Sequence, residues 1–475
     1  MNILFGSHSG NLEGAPLSLL SLCKYCNKDS HTCTMVLGSE GMLQNKCKQL
    51  GISSIVVPDL MQPNIIPEQW KQLLASTNQD LVVVNTYLGA SLVSYCRKLN
   101  IPVIWIIRES EKERYMGLFH NETHYFQDAN AVVFPSKFTH SLYEQYDKGN
   151  FHIVPNGIDV EAIDAFKSKK EILRSRYCIP QDAMVFTSIG SLQPLKGFDV
   201  FIQAGIEVLK KHPHTHFFIV GPAYSEEQQR YVRTLMRIIQ KHGARSHFHI
   251  YGETLYIYDH YKHADAYVCA SKVETFPRTI LEAMAFGLPV VASKVGGIPE
   301  QITGEEGLFF QQGNVKELSV AMEKILEHKE QRHQMGNAGR ARIHSTFKEE
   351  HMYEQYKEII ETIAKRQEST SILAAPTASP NQPKETVSLI FRASKPKTIP
   401  DAVEAAREFF PNYREFIVGA SPDLPKSTLK YLESIPHVRF IPGTNEKMQA
   451  GDLHYRLMEE CTGNWIVNVD DDDMW

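Results

Sequence analysis

Ala266-Tyr-Val-Cys-Ala270, Glu274-Thr-Phe-Pro-Arg-Thr-Ile-Leu-Glu282 and Gly287-Leu-Pro-Val-Val-Ala-Ser-Lys-Val-Gly-Gly-Ile-Pro-Glu300 read in order as strand, loop, helix, strand and glycine turn. Strands that alternate with helices in this way form parallel sheets covered on both faces. Ligands of such sheets bind beyond the carboxyl ends of the strands, where this loop lies. Glu274 and Glu282 stand eight positions apart, a reach of at most about 12 Å at helical rise. Two carboxylates at that spacing accept hydrogen bonds from polyol hydroxyls at both ends of a ligand. The helix start between them offers unpaired N–H groups to a phosphate. Pro277 is expected in the first helical turn and Thr275 at its cap.

Outward from this stretch the alternation continues. Strands are expected at Ile3–Phe5, Thr34–Leu37, Ile55–Val57, Leu81–Val84, Val103–Ile107, Ala131–Phe134 and His152–Val154, then at Met184–Ile189, His216–Val220, His247–Tyr251, Ala266–Cys269 and Val290–Ala292. Two series meeting near Pro155-Asn-Gly-Ile-Asp159 predict two Rossmann-like domains, 1–155 and 156–346, facing a cleft. Residues 347–365 read as a closing helix, with Met352, Tyr353, Tyr356, Ile359, Ile360 and Ile363 spaced for packing. Residues 366–385, rich in Ser, Thr, Pro and Ala, read as a flexible linker. A new α/β pattern begins at Thr386 and stops after Asp470-Asp-Asp-Asp-Met-Trp475, so 386–475 is expected to be an incomplete domain.

Bulk properties set limits. The 475 residues carry a net charge of −5 and are 43% hydrophobic, enough for several cores and without the basic excess of a nucleic-acid binder. The N-terminus lacks the pattern of a signal peptide, and no apolar run reaches the ~18 residues of a membrane span. Eight scattered cysteines suit a reducing cytoplasm. Cys23-Lys-Tyr-Cys26 has only His31 and Cys33 nearby in sequence, and core packing is its expected role.

Residues 1–365 resemble a retaining glycosyltransferase of family 4 with the GT-B fold. The resemblance rests on Gly14-Ala-Pro16, Asn156-Gly-Ile-Asp159, Gly190-Ser-Leu-Gln-Pro-Leu-Lys-Gly197, Glu274 to Glu282 and Val295-Gly-Gly-Ile-Pro-Glu300. It implies transfer of a sugar from a UDP- or GDP-linked donor to a glycan, lipid-linked glycan or other hydroxyl acceptor, with no required metal. Glu274 then holds the sugar, Glu282 the ribose, and Lys196 the diphosphate. Gly14, Ser191, Phe276, Pro277, Gly221 and Thr254 fall on the donor side. Ser191 stands where relatives carry an arginine, and Arg278 either replaces that charge or points into solvent. Arg108 occupies a position often held by histidine; it either binds an anionic group or pairs with Glu109 or Glu111. Asn85, Thr86 and Glu109 are expected on the acceptor side.

Residues 386–475 resemble the first half of a family 2 glycosyltransferase with the GT-A fold. Asp470 and Asp472 then form its metal motif for Mg2+ or Mn2+, the other reading being an exposed acidic terminus. The expected protein is a cytoplasmic glycosyltransferase of glycan or polysaccharide synthesis with, at most, peripheral membrane contact. A non-catalytic GT-B scaffold binding a sugar nucleotide or a protein partner is the competing reading.

Overall fold

The computed structural model describes residues 1–374 except 77–78, 168–173, 175–178, 181, 253 and 255–256, and beyond them only residues 387–393, 413–420, 438–442 and 465–470. The chain divides into two compact units, Met1–Ser371 and Ile372–Trp475.

The first unit holds two sheets. β1 (Asn2–Ser7), β2 (Thr32–Leu37), β3 (Ser53–Val56), β4 (Leu81–Asn85), β5 (Val103–Ile106), β6 (Ala131–Phe134) and β7 (Phe151–Ile153) form a seven-stranded sheet in the order β3-β2-β1-β4-β5-β6-β7. β8 (Met184–Ile189), β9 (Thr215–Val220), β10 (Phe248–Tyr251), β11 (Ala266–Cys269), β12 (Val290–Ser293) and β13 (Gly307–Phe310) form a second, ordered β10-β9-β8-β11-β12-β13. All pairings are parallel. In each sheet the order reverses beside the first strand, which opens a crevice at the carboxyl ends. Strands buried on both faces explain the near-continuous Val and Ile runs. Along β1, for example, Ile3 and Phe5 enter one core and Leu4 the other.

β13 is an addition to the expected strands. Gly307-Leu-Phe-Phe310 is short, lies at the sheet edge and follows Gly304-Glu-Glu306, so its run is too brief to announce a strand. The helix expected over 347–365 runs from Glu349 through Ala374, so 366–374 is helical rather than linker. No proline or glycine interrupts the sequence before Pro376, which lets the helix continue. Met352, Tyr353, Tyr356, Ile359, Ile360 and Ile363 pack in the same core as Ile3, Phe5 and Leu19. The chain thus returns from the second sheet to close the first.

In the second unit, β14 (Val387–Ala393), β15 (Tyr413–Ala420), β16 (Val438–Pro442) and β17 (Trp465–Asp470) form a parallel sheet ordered β16-β15-β14-β17. Asp470 is the last residue of β17, and Asp472 lies outside the described residues.

Candidate active site

Between the carboxyl ends of β8 and β11, two loops lock together. Gly197 has φ +66°, and a Cβ there would stand 2.0 Å from the Ala270 carbonyl oxygen. The Lys272 N–H donates to the Leu195 carbonyl at 2.7 Å. This backbone contact aims Lys196 at Glu274, with Nζ 2.6 Å from Oε1. Ser271 Oγ donates to the same oxygen at 2.7 Å. Glu274 Oε2 makes no hydrogen bond among the described residues. Burial draws the Lys196 pKa down, but the charge and hydrogen bond of Glu274 outweigh it and hold the ammonium above its ordinary value.

Glu274 leads into the helix Arg278–Phe286. Pro277, with ψ 123°, is the N-cap itself, so the expected cap at Thr275 moves two residues on. The extended ψ leaves Pro277 outside the first turn. Glu282 is 7% exposed and accepts a hydrogen bond from Tyr261 on Oε2 at 2.9 Å. Burial raises its carboxyl pKa, against the opposing influence of Arg278, Tyr261 and Lys46.

Arg278 is not directed into solvent. Its side chain is 9% exposed, Nη1 donates to the Gly157 carbonyl at 3.0 Å, and Nε lies 3.9 Å from Glu282 Oε1. The Phe276 ring is turned into the core, 5.6 Å from that of Phe347, so only its backbone faces the site. Ser191 Oγ accepts from Gln193 Nε2 at 2.8 Å. A Cβ at Gly221 would stand 1.8 Å from the Gly190 carbonyl oxygen, which brings the loops after β8 and β9 together. Thr254 follows β10 and is half-buried. Gly14 opens the helix Gly14–Lys28, and a Cβ there would meet nothing within 4 Å.

On the first sheet's side, Arg108 pairs with neither Glu109 nor Glu111. Its Nε donates to Asn85 Oδ1 and its Nη1 to Asn156 Oδ1, each at 2.6 Å. Glu109 instead accepts the backbone N–H groups of Tyr87 and Arg108, both at 2.9 Å, and Glu111 pairs with Arg114. These two backbone N–H groups, one just after β4 and one from Arg108 itself, occupy the Glu109 carboxylate in place of the guanidinium. Thr86 has φ 83° and ψ 157°, a region that only glycine occupies freely. Trp105 Nε1 holds the Thr86 carbonyl at 2.9 Å, and Glu109 holds the next N–H, so that peptide is clamped at both ends. Such a conformation costs about 1–3 kcal/mol and persists only where its surroundings enforce it.

Each residue of Asn156-Gly-Ile-Asp159 has a distinct contact. Asn156 Nδ2 donates to the Phe276 carbonyl at 3.0 Å. Gly157 leaves room for the Lys348 carbonyl, which would lie 2.5 Å from a Cβ. The Ile158 N–H donates to the Phe347 carbonyl at 3.0 Å. Asp159 accepts the Ala162 N–H at 2.9 Å and pairs with Lys24, which also contacts Glu349.

Several residues here carried no separate expectation. Ser271 orients Glu274, and Lys46 from the helix Leu43–Gln49 lies within electrostatic range of Glu282 and Arg278. His8 Nε2 stands 3.5 Å from Glu13, which in turn lies within range of Lys196. Gly10 and Gly41 position that loop, since a Cβ on Gly41 would meet the Gly10 carbonyl at 2.2 Å. Glu300 accepts the N–H groups of Lys137 and Phe138. Glu300 and Asn156 stand in motifs that the sequence displays, but their partners are far away along the chain.

Residues 13–162 match the family profile described as Glycosyltransferase Family 4, and residues 169–342 that described as Glycosyl transferases group 1. A GDP-mannose-dependent monoacylated alpha-(1-6)-phosphatidylinositol monomannoside mannosyltransferase of Corynebacterium glutamicum is 28% identical over 220 residues, 45% of this chain and 56% of its own. A D-inositol 3-phosphate glycosyltransferase of Streptomyces griseus is 30% identical over 203 residues, 41% of this chain and 43% of its own. The chain spans about half the length of the curated relatives it matches. Anabaena HepE, solved with UDP and glucose, superposes with a TM-score of 0.66 at 22% identity, covering 76% of this chain and 99% of that one. Sucrose-phosphate synthase from Thermosynechococcus elongatus gives 0.63 at 18% identity, covering 77% of this chain and 100% of its own. Both likenesses speak to the fold. The matched profiles end at residue 342, short of the second unit. Two glycosyltransferase family profiles thus match this chain in series, and its fold is the two-sheet GT-B type of those solved structures.

Proposed function

We propose that this protein transfers a sugar from a nucleotide-diphosphate donor to a hydroxyl acceptor, with retention of anomeric configuration. The observation that carries the reading is the Lys196–Glu274 pair beyond the carboxyl ends of β8 and β11, with the buried Glu282 midway along the helix that follows Glu274. Without donor, cation and carboxylate neutralise one another. A diphosphate recruits Lys196, and Glu274 turns its oxygens to the sugar hydroxyls. Glu282 keeps Oε1 for a ribose hydroxyl while Tyr261 occupies Oε2.

As the bond between the anomeric carbon and the phosphate oxygen breaks, negative charge collects on the leaving diphosphate. Lys196 and the N–H groups of nearby loops stabilise it. The acceptor oxygen forms its bond on the same face, and its proton passes to the leaving phosphate oxygen. This scheme asks no metal of the first unit. UDP and GDP are both retained as donor bases: HepE was solved with UDP, and the mannosyltransferase relative is named for GDP-mannose. The acceptor is a glycan, a lipid-linked glycan or a related polyol, and the site is assigned to the cytoplasm. The GT-A-like reading of the second unit, with Mg2+ or Mn2+ at Asp470 and Asp472, rests on the sequence resemblance. The catalytic reading is favoured over a scaffold because Lys196, Ser271 and Glu274 are assembled as a unit.

A panel of UDP- and GDP-sugars, followed by mass spectrometry, tests the proposal. The wild type is expected to consume one donor, and Glu274→Ala to lose at least about 10²-fold in turnover while still binding the nucleotide diphosphate. Equal turnover by Glu274→Ala, or no consumption by the wild type, would overturn it.

A further inference from the structure

The backbone that carries Glu274 is gripped by three groups from outside its own helix. Gly297 N–H donates to the Glu274 carbonyl at 3.2 Å, Asn156 Nδ2 to the Phe276 carbonyl at 3.0 Å, and Gln301 Nε2 to the Pro277 carbonyl at 2.9 Å. Close approach reinforces the grip, since a Cβ on Gly296 would fall 1.7 Å from the Glu274 carbonyl oxygen.

Two arms lead from these grips to the first sheet's half. One runs from Asn156 Oδ1 to Arg108, on to Asn85, and ends where Asn85 Nδ2 donates to the Ala15 carbonyl at 3.0 Å. The other runs from Gln301 to its neighbour Glu300, whose carboxylate accepts the N–H groups of Lys137 at 2.8 Å and Phe138 at 2.9 Å. Those N–H groups open the helix Lys137–Tyr143, where a negative charge is favoured. Arg342 pins this turn by donating to the carbonyls of Gln301 at 2.8 Å and Glu300 at 3.0 Å.

We propose that Asn156 and Glu300 are positioning residues that make the placement of Glu274 conditional on closure of the two halves of the first unit. With the halves together, both arms are loaded and the Glu274–Pro277 backbone is fixed. Separation breaks the Arg108–Asn156 and Glu300–helix contacts and releases that backbone before any sugar-facing side chain is disturbed. A displacement of about 1 Å at a reacting group is enough to cost roughly 10²-fold in rate. Glu282 sits further along the helix and takes its hydrogen bond from Tyr261 rather than from Asn156 or Glu300, so nucleotide binding and placement of the sugar separate experimentally. The inference rests on the reading of Glu274 as the sugar-holding residue.

Glu300→Gln and Asn156→Asp in the full chain test it. The first removes the charge at the helix start. The second keeps an oxygen for Arg108 but cannot donate to the Phe276 carbonyl. Each is expected to lower kcat by about tenfold or more, with UDP or GDP affinity by calorimetry within about twofold of wild type and the Glu300→Gln melting midpoint unchanged. The double variant is expected to lose less than the product of the two single losses, because both report on one closed state. Wild-type kcat in either variant, or a loss of kcat matched by an equal loss of nucleotide affinity, overturns the proposal. A wild type that neither consumes a sugar nucleotide nor binds UDP or GDP ends the functional reading and this inference together. A competent wild type with two variants equal to it ends the inference alone.

Discussion

Burial of Glu282 has a pH consequence. The form that accepts a ribose hydroxyl is the carboxylate, and burial lifts its pKa above the ordinary 4.5. Protonation therefore takes hold at a higher pH than for an exposed glutamate. Donor KM is expected to rise as pH falls through the weakly acidic range, whereas Glu282→Gln is expected to show a high KM at every pH. A wild-type donor KM that stays flat across that range would contradict the assignment. Lys196 has the opposite environment, because Glu274 holds its pKa up and it remains a cation throughout.

At the scale of elements, glycines at the element ends divide into two kinds, and a methyl group separates them. Gly197 combines φ +66° with a carbonyl 2.0 Å from a would-be Cβ. Gly197→Ala is expected to cost at least about 2 kcal/mol in denaturant unfolding, from left-handed strain together with the clash, and to disturb Lys196. Gly14 has open space instead, so Gly14→Ala is expected to leave stability within about 0.5 kcal/mol, and any loss of activity then reports on the ligand. The sequence displays both glycines but not the difference between them, which depends on which loop lies opposite. The same limit explains the rest of the site. The Glu274 to Glu282 spacing, Lys196 and the order of the motifs were legible because they are local. The partners of Arg108 were not, since Asn156 lies 48 residues away and the nearby acids offered a simpler pairing. The one strand left out among the described residues, Gly307–Phe310, is an edge strand with a weak local signal.

Across the whole first unit, the helix Glu349–Ala374 fastens the two halves. Tyr356 is 2% exposed in the core of the first sheet and lies within electrostatic range of Arg108. Tyr356→Ala is expected to destabilise the protein by about 3–5 kcal/mol, the range for removing a large buried aromatic side chain, read as a shift in the denaturant midpoint. An unchanged midpoint would mean that the helix is dispensable to that core. The return of the chain also has a temporal side. During synthesis, Ile3, Phe5 and Leu19 leave the ribosome early, yet the side chains that cover them, from Met352 to Ile363, emerge only after the entire second sheet has been made. The N-terminal half must wait, with one greasy flank uncovered, for a lid encoded more than three hundred codons downstream. Nascent chains halted before that point are where chaperone capture should concentrate.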